Sequence, residues 1–353
     1  MINFTNMIKQ LIFGVAVLTL ISCGNTKEDQ VAGISQQEKD KAGRDSILHA
    51  TAANIFGTLP LVADNPDNPV TDNKVKLGKT LFFDVRLSKD NTISCNSCHN
   101  LNTYGVDNER FSAGNDKKLG GRNANTVFNA ALEFAQFWDG RAKDVEEQAG
   151  GPILNKVEMA IPDKDFLINR LSKVKEYQDL FAKAFSEDKK PLTFLNVQKA
   201  IGAFERKLIT PSRFDVYLKG DQTALTDKEK EGLNTFISAG CINCHSGNVI
   251  GGRMFQKFGL FGNYWDYTKS TKIDSGRYDL TKNEADKFVF KVPMLRNIAK
   301  TGPYFHDGSV SSLKDAVGIM AQLQLNKKLS DKEADDIVAF LNTLTGDVAT
   351  DLK

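Results

Sequence analysis

The chain has 353 residues, of which 41% are hydrophobic and 25% charged, with a formal net charge of +2. That length allows about two domains with ample core, and so even a charge balance gives no sign of a nucleic-acid binder or of a protein held to an anionic surface by charge. Recognition must therefore come from local features.

The chain opens with Lys9 as its sole early charge, followed by the apolar run LIFGVAVLTLI from Leu11 to Ile21. A membrane span needs about twenty such residues, so this stretch reads as an export signal. LISC, residues 20 to 23, resembles a bacterial lipobox. On that resemblance residues 1–22 are a lipoprotein signal peptide and Cys23 is the acylated first residue of the mature chain. A plain signal peptide that discards Cys23 is the alternative, and both place the protein outside the cytoplasm. Gly24 stands where some lipoproteins carry an inner-membrane retention aspartate, which favours the outer membrane. Residues 23–46 are polar with almost nothing to bury and are expected to form a flexible tether. His49, a lone imidazole just beyond, reads as surface or packing.

The folded body is expected from residue 47 onward. VKLGKTLFFDVRLS, residues 75–88, places Leu77, Leu81 and Phe82 on one helical face and leads into CNSCH at residues 95–99. Two cysteines three apart with histidine directly after the second are what covalent haem c attachment requires: the thiols of Cys95 and Cys98 add to the vinyl groups and His99 reaches the iron. CINCH at residues 241–245 repeats it with Cys241, Cys244 and His245. A shared zinc site, two disulfides or redox CxxC pairs are the alternatives, but zinc frameworks place their ligand pairs closer together, and the others leave both histidines unexplained.

Between the motifs, LNVQKAIGAFERKLI carries Val197, Ile201, Phe204 and Leu208 at helical steps, and Pro211 closes that segment. Thr226 with Glu229 forms a capping box ahead of Leu233, Phe236 and Ile237, which run into Cys241. Ser330 with Glu333 caps a last helix carrying Ile337, Val338, Phe340 and Leu341. No sustained strand alternation occurs. The expected class is all-α, with two cytochrome c-type haem domains at 47–210 and 211–353, long loops, and a last helix that packs back on the first domain.

These segments carry a resemblance over nearly the whole mature chain. LGKTLFFDVRLS, TVFNAALEFAQFWDGRAKDVEEQAGGPILNKVEM, KVPMLRNIAKTGPYFHDGSV and DDIVAFLNTLTG, in this order around both motifs, resemble the bacterial dihaem cytochrome c peroxidases. The resemblance implies a peroxidatic first haem and an electron-accepting second haem capped by Met320, with Met294 as its rival. It also implies Glu158 as the acid–base group, Gln148 as the residue that holds peroxide, and Trp138 as an aromatic bridge between the haems. A calcium ion would be held by the Asn123 amide oxygen and the carbonyls of Thr301 and Pro303. His306 is expected to anchor its loop or a haem propionate rather than to ligate.

One departure stands out. Many family members carry, in the loop after the first motif, a histidine that blocks the oxidised iron; here the loop reads SAGND, with Asn115 in that place. The chain's four histidines lie at 49, 99, 245 and 306, so none serves from this loop. The expectation is a first iron already open when oxidised.

The resemblance further implies hydrogen peroxide as substrate, a small periplasmic c-type cytochrome or cupredoxin as donor, a periplasmic location, and a homodimer. Two other readings stay open: a dihaem enzyme that oxidises tryptophans of a partner protein, against which Met320 argues, and a dihaem electron carrier.

Overall fold

Helices dominate the computed structural model, which describes residues 35–353. The signal peptide, Cys23 and tether residues 23–34 lie outside that range. The chain forms α1 (Gln36–Ile55), α2 (Asp72–Phe83), α3 (Cys95–Cys98), α4 (Val145–Leu154), α5 (Lys164–Leu171), α6 (Lys175–Ala184) and α7 (Phe194–Glu205). It continues through α8 (Arg213–Leu218), α9 (Asp227–Ala239), α10 (Tyr264–Thr268), α11 (Tyr278–Thr281), α12 (Leu313–Leu325) and α13 (Asp331–Asn342). One sheet occurs among the described residues: β1 (Phe255–Lys257) pairs antiparallel with β2 (Val289–Lys291), Phe255 opposite Lys291. No described helix is long and apolar enough to cross a membrane.

The tether expectation needs correction from residue 36 onward. These residues are helical, and the reason is local: Glu38 accepts from both the backbone N–H and the hydroxyl of Ser35 at 2.7 Å, while Gln, Glu, Lys and Ala are good helix formers. Further along, Leu48 and Ala52 of α1 and Phe56 just beyond it bury an apolar face. Polar composition alone did not distinguish a capped exposed helix from coil.

Two large apolar cores follow. The first gathers Leu77, Leu81 and Phe82 of α2 with Val197, Ile201 and Phe204 of α7, Ile153 of α4, and Val348 and Leu352 from the end of the chain. The second gathers Leu233 and Phe236 of α9 with Ile337, Phe340 and Leu341 of α13, Phe214 and Tyr217 of α8, and Ala52 and Phe56. Both use the same device. A Cβ on Gly78 of α2 would fall 1.9 Å from the Ala200 carbonyl oxygen, and one on Gly232 of α9 would fall 1.8 Å from that of Asp336. Each helix that leads toward an attachment motif thus crosses its partner with backbones in contact, which only glycine permits. Both capping boxes form, Thr226 with Glu229 and Ser330 with Glu333.

Candidate active site

Ser94 and Ser97 form a reciprocal cap that starts α3, so the first motif enters as a tight helical turn. Cys95 and Cys98 are not disulfide-bonded to each other, nor are Cys241 and Cys244. Burial pushes the thiols of Cys98 and Cys241 up to about 11. Among the described residues no group of three or more His, Cys, Asp or Glu could hold a metal ion. Neither a disulfide within these pairs nor a zinc site shared by them is found among the described residues. His99 is half-buried, its buried Nδ1 has no hydrogen-bond partner, and burial, opposed by Asp107, holds its pKa below the ordinary value.

Glu158 sits in a turn that folds back on the end of α4. The turn is built by Glu158 N–H donating to Asn155 O at 3.0 Å, Met159 N–H to Pro152 O at 3.1 Å and Ile161 N–H to Ile153 O at 2.9 Å. Asn155 Nδ2 donates to Glu158 Oε1 at 2.7 Å. Burial raises the Glu158 carboxyl, with the charge of Arg141 and the Asn155 bond opposing. Its charge in turn helps raise the Cys98 thiol, so the carboxylate stands within electrostatic reach of the first motif. Gln148 is half-buried on α4, which runs directly into this turn.

Asn115 is also tied to Glu158. Its backbone N–H donates to Glu158 O at 2.7 Å. Its side chain accepts from the Asp90 backbone N–H at 3.1 Å and donates to Asp90 Oδ2 at 2.8 Å.

Around the second motif the chain encloses an apolar cavity of about 210 Å³, walled by Cys241, Cys244, His245, Met294, Met320 and Trp138 among others. Asn123, Thr301 and Pro303 reach the same cavity, so the structure brings all these sequence candidates together. The His245 ring lies with Nδ1 3.4 Å from Ile250 O, and burial lowers its pKa to about 4. A neutral imidazole with one nitrogen turned to a carbonyl and the other free is the form a metal ligand takes. Met320 is half-buried on α12; its rival Met294 is 6% exposed and packs with Leu59, Val145, Ile209 and Val249. Trp138 Nε1 donates to Asn123 O at 2.9 Å.

The sequence profile of the family described as di-haem cytochrome c peroxidase matches residues 72–223. The cytochrome c551 peroxidase of Pseudomonas aeruginosa is 46% identical over 301 residues, covering 85% of this chain and 86% of the relative. That of Nitrosomonas europaea is 47% identical over 310 residues, covering 86% and 91%. The chain belongs to the di-haem cytochrome c peroxidase family. A crystal structure of a MauG-like protein associated with microbial copper homeostasis matches with a TM-score of 0.73 at 28% identity, covering 85% of this chain and 97% of that one.

Family membership implies two haem c groups, and the residues present fit them: unbridged cysteine pairs, a buried His99 Nδ1 lacking a partner, and an apolar cavity bounded by His245 and Met320. His306 is 1% exposed, stacks on Phe290 with ring centroids 4.3 Å apart, and leaves both ring nitrogens without partners at the same cavity.

Other residues of the site went unread in the sequence. Arg122 binds Asp139 and Asp274, both at 2.7 Å, next to Asn123. Glu133 and Lys291 form a buried ion pair at the cavity. Their signal was present: each is a lone charge inside an apolar run, ALEFAQFW and FVFKVPM, where burial demands a partner.

Proposed function

We propose that this cytochrome-c peroxidase reduces hydrogen peroxide at the first motif, with two electrons and two protons yielding two molecules of water. A haem c held by Cys95, Cys98 and His99 would supply the iron site for peroxide, and one held by Cys241, Cys244, His245 and Met320 would supply the site that accepts electrons from the donor. Glu158 takes the proton from the near peroxide oxygen and returns it to the oxygen that leaves as water. Gln148 orients the peroxide by hydrogen bonding. The charge of Arg141 opposes the effect of burial on the Glu158 carboxyl.

The observation that carries this reading is the half-buried Glu158, bonded through its backbone carbonyl to the loop that follows the first motif, where Asn115 stands in place of histidine. No imidazole from that loop competes with peroxide. Electron paramagnetic resonance of the fully oxidised protein tests the point: a bis-histidine low-spin signal from the first haem rejects it. Rapid mixing with peroxide and a reduced donor tests the reaction itself. Fast donor oxidation supports it, whereas a spectrum indifferent to peroxide would identify an electron carrier.

Trp138 is the aromatic link between the two sites, supported by its place on the second cavity wall and its fixed indole N–H. Asn123 Oδ1 with the Thr301 and Pro303 carbonyls would hold calcium, a hard-oxygen set. In support, Asn123 commits its Nδ2 to Glu109 O at 2.9 Å, and Asn108 occupies the carbonyls of Lys300 and Gly302 rather than those two. The first haem belongs to residues 47–210 and the second to 211–353. The donor is a small c-type cytochrome or cupredoxin in the periplasm, where Cys23 anchors the chain to a membrane.

A further inference from the structure

The cavity behind the second motif is lined mainly by apolar, amide and hydroxyl side chains. Among the described residues that wall it, the carboxylate of Glu133 and the ammonium of Lys291 are the only members of their kind. They are bonded to each other, and each side chain is 3% exposed. Both anchor to functional segments. A Cβ added at Gly252 would stand 2.8 Å from Glu133 Cγ, and one at the adjoining Gly251 would stand 3.0 Å from His245 Nδ1, so Glu133 packs on the strip of backbone that backs the histidine. The Lys291 backbone N–H donates to Trp138 O at 2.7 Å, so Lys291 fixes the segment of the indole.

A buried ion pair is a poor stabiliser: well-packed apolar side chains in its place are often neutral or better. Lys291 shares its cavity wall with Phe290, Val292, Met294 and other apolar residues, so an apolar residue would suit the fold there. What the pair adds is a fixed field, weakly screened because each side chain is almost wholly removed from solvent.

We infer that Glu133 and Lys291 set the reduction potential of the haem c held by Cys241, Cys244 and His245, acting as opposed charges whose fields largely cancel while they are paired. The inference rests on the two-haem reading. An unpaired ammonium favours the reduced iron and an unpaired carboxylate favours the oxidised iron, so the two single variants shift the potential in opposite directions.

The test is a spectroelectrochemical titration of the second haem in Glu133→Gln, Lys291→Met and the double variant. All three variants are read beside the wild type at one pH. Glu133→Gln raises the reduced-to-oxidised ratio at fixed poise about tenfold and Lys291→Met lowers it about tenfold, roughly 59 mV each for a one-electron couple. The double variant returns near the wild-type value. Single variants that lose thermal stability but leave the potential unmoved, or move it the same way, overturn the inference in favour of packing alone. Should a single variant fail to retain haem, Glu133→Ala or Lys291→Gln takes its place, and the same opposed shifts are required of it. Peroxide turnover is not read, so failure leaves the proposed reaction standing, while failure of the two-haem reading shows first as the absence of a second redox transition.

Discussion

The turn that carries Glu158 leans on the loop of Asn115 at a point where one methyl group does not fit. A Cβ on Gly114 would lie 1.7 Å from Val157 O and 2.9 Å from Glu158 O, and real Cβ atoms essentially never come within 3.0 Å of a neighbour. Gly114→Ala must therefore push loop and turn apart. The bond from Asn115 N–H to Glu158 O, 2.7 Å long, breaks at a cost of about 1 kcal/mol. Displacing a catalytic group by about 1 Å costs about 10²-fold in rate, so kcat for peroxide reduction should fall about 10²-fold. The assay is steady-state donor oxidation with saturating peroxide, run beside a redox titration showing the second haem unchanged. Gly121→Ala is the control from the same loop, since nothing lies within 4 Å of its added Cβ, and it should behave as wild type. Wild-type kcat in folded, fully haem-loaded Gly114→Ala would refute the claim that this contact positions the carboxylate.

Glu158→Gln should lower turnover by roughly 10² to 10⁴, the usual share of acid–base assistance, measured under the same conditions. Because burial raises the Glu158 carboxyl and the base must be ionised to act, the acid limb of kcat/KM should lie above the range of an ordinary glutamate and vanish in Glu158→Gln. Met320→Ala should convert the second haem from low-spin to high-spin in optical spectra; Met294→Ala should keep the spin state and cost about 2–5 kcal/mol of stability, and the reverse pattern would make Met294 the ligand. Arg296 binds Asp215 at 2.6 Å, its own side chain fully buried; Arg296→Met strands that carboxylate and should cost about 3–5 kcal/mol in denaturant unfolding. Burial raises the Asp215 carboxyl, but Arg296 outweighs it and holds the pKa below the ordinary value. That stabilisation is full above the unfolded-state pKa and lost as pH falls through the folded one, so the variant's stability should decline less in acid.

Features written in contiguous residues were the ones legible beforehand. The haem motifs, the helix through Val197, Ile201 and Phe204, and both capping boxes depend on spacings of three or four residues, which local geometry enforces. Leu208, expected to extend that helix, falls beyond its end at Glu205, because Leu208 N–H turns to Glu205 O and the chain leaves the axis there. The short β1–β2 pair escaped notice because three-residue strands are too brief to show alternation. Glu133 with Lys291, Asp215 with Arg296, and Asn115 with Glu158 join residues far apart in sequence, and nothing near either member specifies the other. At the candidate site, residue types singled out the side chains; the supports that hold those residues in place are long-range and needed coordinates.

The two cores are interleaved in sequence. Residues 77–208 make most of the first, yet Val348 and Leu352 close it, and Lys79 Nζ donates to the backbone carbonyls of Asp351 at 2.7 Å and Lys353 at 2.9 Å. Residues 214–344 make most of the second, yet Ala52 of α1 and Phe56 just beyond it complete it. Severing the polypeptide near Pro211 would leave each fragment with an open apolar wall whose covering belongs to the other. The halves are thus obligate companions: neither is a module to be expressed or transplanted by itself, and a fusion appended after Lys353 would load the lid of the core that houses the first attachment motif.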